Sequence, residues 1–219
     1  MKYKLVIFDL DGTLIDTIAD LGTAVNVALR ARNLPEHPME AYRGMVGHGV
    51  RNLVRSAMPE PMRGDEALLD DLLSLFLDYY IAHIDDLSRP YPGIPELLSD
   101  LSAAGVKLAV ASNKFQAGAE KLIHRTFPQI VFSAISGGRR DAPLKPDPAI
   151  VDGILERAGV SWEEAVLVGD SATDIATAAA AGIACIAVSW GFRPKEALSE
   201  AGSIADSVPQ LRRMLLESR

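Results

Sequence analysis

The sequence predicts an α/β chain: a doubly wound, Rossmann-like parallel sheet with an all-helical cap inserted near its start. Short apolar, β-branched runs recur along the chain, and each is followed by a segment of helical periodicity or length. The strand-like runs are apolar on both faces, as strands covered on both sides of a parallel sheet must be. From about residue 17 to about residue 88 the pattern is helical throughout, with no strand.

Residues 4–8, Lys-Leu-Val-Ile-Phe, are the first strand, closed by Asp-rich turn residues. Asp16 or Thr17 stands where a cap is wanted for a helix carrying Leu21, Ala24, Val25, Ala28 and Leu29. Asp65 opens a longer helix carrying Leu68, Leu69, Leu72, Leu73, Phe76, Tyr79, Tyr80 and Ile84, an apolar stripe broad enough to require packing against other helices. Arg89-Pro90-Tyr91-Pro92-Gly93 reads as the return linker. Further strands are expected at 106–112, 130–134, 165–169 and 183–188. The expected division is a core of residues 1–15 and 89–219 and a helical cap of residues 16–88.

The chain has 219 residues, 48% hydrophobic and 23% charged, which suits one large domain or a domain with an insertion. A net charge of -7 argues against nucleic acid or an anionic membrane as partner. It does not argue against a small phosphorylated substrate, because a bound cation reverses the sign locally. Cys185 is the only cysteine, so no intrachain disulfide forms, and its apolar surroundings read as a core strand. The N-terminal apolar run is too short for a signal peptide, and no stretch nears the ~20 apolar residues that span a bilayer. The expected location is cytoplasmic.

The chemistry is expected at strand ends, since open α/β sheets bind ligands beyond the carboxyl ends of their strands. Asp9-Leu10-Asp11-Gly12-Thr13-Leu14 ends the first strand. Positions i and i+2 of an extended segment share a side, so Asp9 and Asp11 can be aimed at one place. Taken alone, Asp11-Gly12 is equally a turn. A calcium loop is excluded, because Thr13 and Leu14 stand where that loop wants Asp or Asn and then Gly. Three other strand ends add to the motif. Ser112-Asn113-Lys114 offers a hydroxyl and N–H groups expected at a helix start, an anion site. Lys145-Pro146-Asp147-Pro148 fixes the backbone around a lysine. Gly169-Asp170 with Asp174 places two carboxylates four residues apart, on one face if both lie on a helix.

In this order the four motifs resemble those of the haloacid dehalogenase superfamily, across the whole chain and including a helical cap after the first motif. The resemblance implies a phosphatase in which Asp9 is the nucleophile and forms an aspartyl-phosphate. Asp11 would protonate the leaving group and then activate water, as a nearby second carboxyl group can. Mg²⁺ would bind the Asp9 carboxylate, the Asp11 main-chain carbonyl and the Asp170 carboxylate, with Asp174 holding a metal-bound water. Lys145, Ser112 and Asn113 would offset and bind the phosphoryl oxygens.

The cap is expected to choose the substrate. Gly47-His48-Gly49 with Arg51 one turn later forms a candidate grip for a small anionic leaving group. The layout, with Ser112-Asn113-Lys114 and Ser189-Trp190-Gly191-Phe192, is similar to bacterial phosphoglycolate phosphatases. Pyrophosphatase and nucleotide phosphatase readings stay open. A phosphosugar mutase is disfavoured by Thr13-Leu14 and Val50. A phospho-Asp signalling receiver is the alternative of a different class; receivers are shorter, have no cap and do not set a second Asp two residues after the first.

Overall fold

The structure is a computed structural model that describes residues 2–217. Its strands are β1 (Leu5–Phe8), β2 (Ile15–Asp16), β3 (Arg89–Pro90), β4 (Lys107–Phe115), β5 (Ala134–Gly138), β6 (Ala165–Gly169), β7 (Ala184–Val188) and β8 (Ile204–Ala205). Its α-helices are α1 (Ile18–Arg30), α2 (Met39–Met45), α3 (Val50–Ala57), α4 (Glu66–Ala82), α5 (Ile94–Ala103), α6 (Gln116–Thr126), α7 (Ala149–Ala158), α8 (Ala172–Ala180) and α9 (Val208–Leu216). Six strands form one parallel sheet in the order β5-β4-β1-β6-β7-β8. The expected α/β class and sheet are therefore present. Among the described residues, no helix is long and apolar enough to cross a membrane.

The central strand shows why the sequence selects this sheet. Val6 and Phe8 point into one apolar cluster, while Leu5 and Ile7 point into another on the opposite face. All four are fully buried, which is the period-2 consequence of a strand covered on both sides. β1 pairs with β4 and β6 in register, Phe8 lying opposite Val110 and Val168. The next residue on β1 is Asp9, and the next few on its neighbours lead to Ser112 and Asp170. Register alone thus gathers three of the expected site residues at one sheet edge.

Helices α1 to α4 all lie between β2 and β3, which pair antiparallel with Ile15 opposite Pro90 and Asp16 opposite Arg89. The segment read as a return linker thus begins with a strand that closes a two-stranded stem. Asp20 on α1 fastens this stem: its buried carboxylate accepts from the N–H groups of Leu87 and Ser88 and from the Ser88 hydroxyl. Asp65 caps α4 by accepting from Leu68 N–H at 3.0 Å. Leu69, Leu72, Phe76 and Tyr80 form its buried stripe.

Two expected boundaries move. The strand expected at 130–134 is β5, Ala134–Gly138. Val131 is 85% exposed, so the apolar run before it is a surface approach, while the strand itself is a sheet-edge sequence of small residues. The strand expected at 106–112 runs on to Phe115, with an irregular register between Ala111 and Phe115. Ser112, Asn113 and Lys114 therefore lie on a strand, and α6 starts only at Gln116.

Ile7 is fully buried at the centre of the sheet, and truncation there leaves a cavity that the close-packed faces cannot refill. Ile7→Ala is expected to lower unfolding free energy by about 2–5 kcal/mol, measured by urea denaturation; a loss below 1 kcal/mol would contradict this packing.

Candidate active site

The cleft at the carboxyl end of the sheet is lined by Asp9, Asp11, Ser112, Asn113, Lys145 and Asp170 from the core, and by Gly47, Gly49 and Val50 from the cap loop. The carboxylates of Asp9, Asp170 and Asp174 lie within 4.8 Å of one another. Like charges that close repel by about 3–4 kcal/mol per pair at an effective dielectric of ~20, so the cluster requires cations.

One is Lys145, whose side chain is 2% exposed. Its Nζ lies 2.9 Å from Asp9 and 2.6 Å from Asp174, and it donates to the Ala111 carbonyl at 2.8 Å. Burial pulls the Lys145 ammonium down, but Asp174 and Asp9 outweigh it and hold the group above the usual lysine range. Burial also raises the Asp9 carboxyl well above the usual carboxylate range; Lys145 opposes this, while Asp174 and Asp170 add to it. Asp170 is raised to about 6, again chiefly by burial and then by Asp174. When fully ionised, the three carboxylates and one ammonium carry two net negative charges, which fits a divalent cation bound by hard oxygen donors.

Local structure fixes each carboxylate. Asp170 follows β6; its Oδ2 accepts from Phe192 N–H at 2.7 Å and its Oδ1 from the Thr13 hydroxyl at 3.3 Å. It fits because two glycines face it. A Cβ on Gly12, at φ +88°, would meet the carboxylate at 2.5 Å, and one on Gly191 would meet it at 2.3 Å. Asp174 is on α8 and closes a capping box with Ser171. Asp170 and Asp174 are thus brought together across a strand–helix junction rather than along one helical face. Asp174 has both oxygens engaged, Oδ1 by Lys145 and Oδ2 by Ser171.

Asp11 is held apart from that cluster. Its Oδ1 accepts from the Thr17 hydroxyl at 2.7 Å and from Lys114 Nζ at 2.9 Å. Thr17 occupies the N-cap position of α1 but gives its hydroxyl to Asp11, and Asp16 accepts the Ile18 N–H instead. Lys114, whose side chain is 1% exposed, also donates to the Tyr80 hydroxyl of α4 at 2.7 Å. The sequence does not reveal Lys114 and Thr17 as partners of Asp11, nor Tyr80 as the second partner of Lys114. The signal for Lys114 was its place beside Ser112 and Asn113; nothing in an apolar helical stripe distinguishes the Tyr80 hydroxyl.

Ser112 lines the cleft as expected, its Oγ accepting from Lys114 N–H at 3.2 Å. The Asn113 side chain has a different use from the expected one. Its amide donates to the Gly47 and Lys145 carbonyls and its oxygen accepts from Lys145 N–H, so it ties the cap loop to the lysine loop. The expected cap grip does not assemble. His48 is exposed and the cleft is lined by its flanking glycines. Arg51 turns outward to pair with Glu66 and Asp70 on α4, because these carboxylates lie on the same surface.

A sequence model of the haloacid dehalogenase-like hydrolases matches residues 6–188, and the chain belongs to that family. It is an enzyme of the hydrolase class. A phosphoglycolate phosphatase of Mesorhizobium japonicum is 42% identical over 193 residues, covering 88% of this chain and 85% of that protein. One from Caulobacter vibrioides is 37% identical, covering 85% and 79%. A crystal structure of a Lactobacillus delbrueckii subsp. bulgaricus protein superposes with a TM-score of 0.91 over 100% of both chains at 32% identity. CbbY from Rhodobacter sphaeroides, in complex with phosphate, gives 0.78 over 94% of both at 25% identity.

Removing the Lys114 ammonium leaves the half-buried Asp11 and the buried Tyr80 hydroxyl without their shared partner. Lys114→Met is expected to cost about 3–5 kcal/mol of stability, read by chemical denaturation, whereas exposed Arg51→Met should cost under ~1 kcal/mol. Equal effects of the two substitutions would contradict the difference in burial.

Proposed function

We propose that this chain is a Mg²⁺-dependent phosphoglycolate phosphatase, cytoplasmic, built as a core of residues 1–15 and 89–219 with a cap of residues 16–88. The observation that carries the reading is the buried Asp9 carboxylate set between Lys145 and the Asp170–Asp174 pair at a strand end. The names of the relatives add the substrate.

In this mechanism the Asp9 carboxylate attacks phosphorus, the bond to the leaving oxygen breaks, and that oxygen takes a proton from Asp11. Water then attacks the aspartyl-phosphate, Asp11 accepts its proton, and the bond between phosphorus and Asp9 breaks. Both Asp11 oxygens accept hydrogen bonds from Lys114, which suits the proton-accepting half of the cycle. Lys145 and the Ser112 hydroxyl would bind phosphoryl oxygens, replacing hydration with fixed donors. Asp9, the Asp11 main-chain carbonyl and Asp170 would hold Mg²⁺, and Asp174 would fix Lys145 and a metal-bound water. The ion supplies charge neutralisation between the carboxylates and the phosphate dianion.

Asp9→Asn is expected to abolish phosphate release, and Lys145→Ala to lower kcat/KM by several orders of magnitude. Near-normal turnover by the Asn variant would overturn the mechanism. Across 2-phosphoglycolate, pyrophosphate, hexose phosphates and nucleotides, 2-phosphoglycolate should give the highest kcat/KM, and any other ranking would replace the substrate.

A second prediction concerns pH and metal removal. Asp9 and Asp170 have folded-state pKa values raised above their unfolded ones. Their contribution to stability is therefore full below the unfolded value near 3.8 and is lost as pH rises through the folded values, about 6 for Asp170. A divalent cation cancels that loss and must displace protons at low pH. The rise in Tm on adding MgCl₂ to chelator-treated protein should be larger at pH 8 than at pH 5; the reverse order would contradict a carboxylate metal site.

A further inference from the structure

Three cations line the cleft, and they differ in how far their charge is already matched. Lys145 is paired with Asp9 and Asp174, and Lys114 with Asp11. Arg193, on the loop after β7, makes no ion pair among the described residues. Its guanidinium donates to the main-chain carbonyls of Arg43 and Val46, which leaves three of its five N–H donors. Its place is fixed from the core side, because the N–H of neighbouring Phe192 is bound to Asp170. Its neighbour on the cap loop is a glycine, Gly47 at φ +115°, where a Cβ would already touch Arg193 Nη2 at 3.4 Å. The rest of the cap-side lining is apolar, from Leu21, Val46, Val50 and Leu53.

A phosphoryl group seated on Asp9, Ser112 and Lys145 directs its leaving group toward this cap side. A leaving group carrying a carboxylate meets Asp11 and Asp170 as like charges and apolar walls that offer it nothing. Arg193 alone has charge and donors to spare. A guanidinium held by two carbonyls is pre-organised for a carboxylate, so little side-chain freedom is lost on binding.

We propose that Arg193 is the residue that selects phosphomonoesters whose leaving group bears a second anionic group, a carboxylate on a short carbon chain. This rests on the reading of the chain as a phosphatase and adds to it the residue that discriminates among substrates. A neutral leaving group of the same size gains no such partner, and a site built around a charged hydrogen bond rejects the analogue that lacks it.

The test compares kcat/KM for 2-phosphoglycolate with that for ethylene glycol monophosphate, which replaces the carboxylate by a hydroxymethyl group. The wild-type chain should favour 2-phosphoglycolate. In Arg193→Met the ratio of the two should fall about 100-fold, chiefly through KM for 2-phosphoglycolate, and Arg193→Lys should restore part of it. Should the Met variant not fold, a fall of tenfold or more in the Lys variant supports the proposal and an unchanged ratio overturns it. Equal losses on both esters would mean that Arg193 only holds the cap loop, which also overturns it. Absence of phosphate release from any monoester by the wild-type chain is a different failure, that of the phosphatase reading itself.

Discussion

The structure depends on one electrostatic constraint: four aspartates are gathered beyond the carboxyl ends of β1 and β6, neighbouring strands of one sheet, with Asp174 in the first turn of α8. Asp9, Asp170 and Asp174 crowd into a single cluster, and Asp11 lies just beyond it. Two buried lysines divide them, Lys145 serving Asp9 and Asp174 and Lys114 serving Asp11. Much of the surrounding architecture keeps this division. Ser171 and Phe192 occupy remaining carboxylate oxygens, and Asn113 holds the main chain of Lys145 on both sides. Burial first, and then the neighbouring carboxylates, raise the pKa values of Asp9 and Asp170.

The same constraint links the helical segment to the core. Lys114 takes one partner from each: Asp11 at the end of β1 and the Tyr80 hydroxyl on α4. Burial raises the Tyr80 hydroxyl above the usual tyrosine range, with the Lys114 charge opposing, so it stays a neutral partner. Thr17, the first residue beyond β2, completes the set around Asp11. The stem into the helices thus touches the Asp11 carboxylate directly through Thr17, and α4 reaches it through Lys114. A displacement of these helices changes the surroundings of Asp11, whereas Asp9 is held by the sheet.

The sheet was legible in the sequence because its central strands are buried on both faces and so are written as uninterrupted apolar runs. The run at 165–169 is β6 itself, and that at 183–188 exceeds β7 by one residue. Strands β2, β3 and β8 have two residues each, too few for any periodicity to register. The continuation of β4 through Ser112, Asn113 and Lys114 was hidden for the opposite reason: polar residues ended the apolar pattern, although all three are buried. Residues whose place follows from the backbone were readable, such as Asp9 and Asp170 at strand ends. Those whose role depends on which partner a long side chain reaches were not. Arg51 finds two carboxylates on its own surface, and Arg193 reaches the cleft from the loop after the last motif.

The contacts between core and cap at the mouth of the cleft are made mostly to main chain. Asn113 grips the Gly47 carbonyl, Arg193 grips those of Arg43 and Val46, and Arg43 in turn donates to the carbonyl of Gly191. A carbonyl is present whatever side chain the residue carries, so the cap loop stays docked when its side chains change. The core lining is different, since Asp9, Asp11, Lys114 and Lys145 each complete a charge pair that a substitution would strand. Variation in the apolar lining at Val50 and Leu53 can therefore alter the shape offered to a leaving group at little cost to the charged site. On the proposed reading, phosphoryl chemistry and leaving-group selection are separable, because the first would draw on buried ion pairs and the second on a guanidinium held by backbone carbonyls.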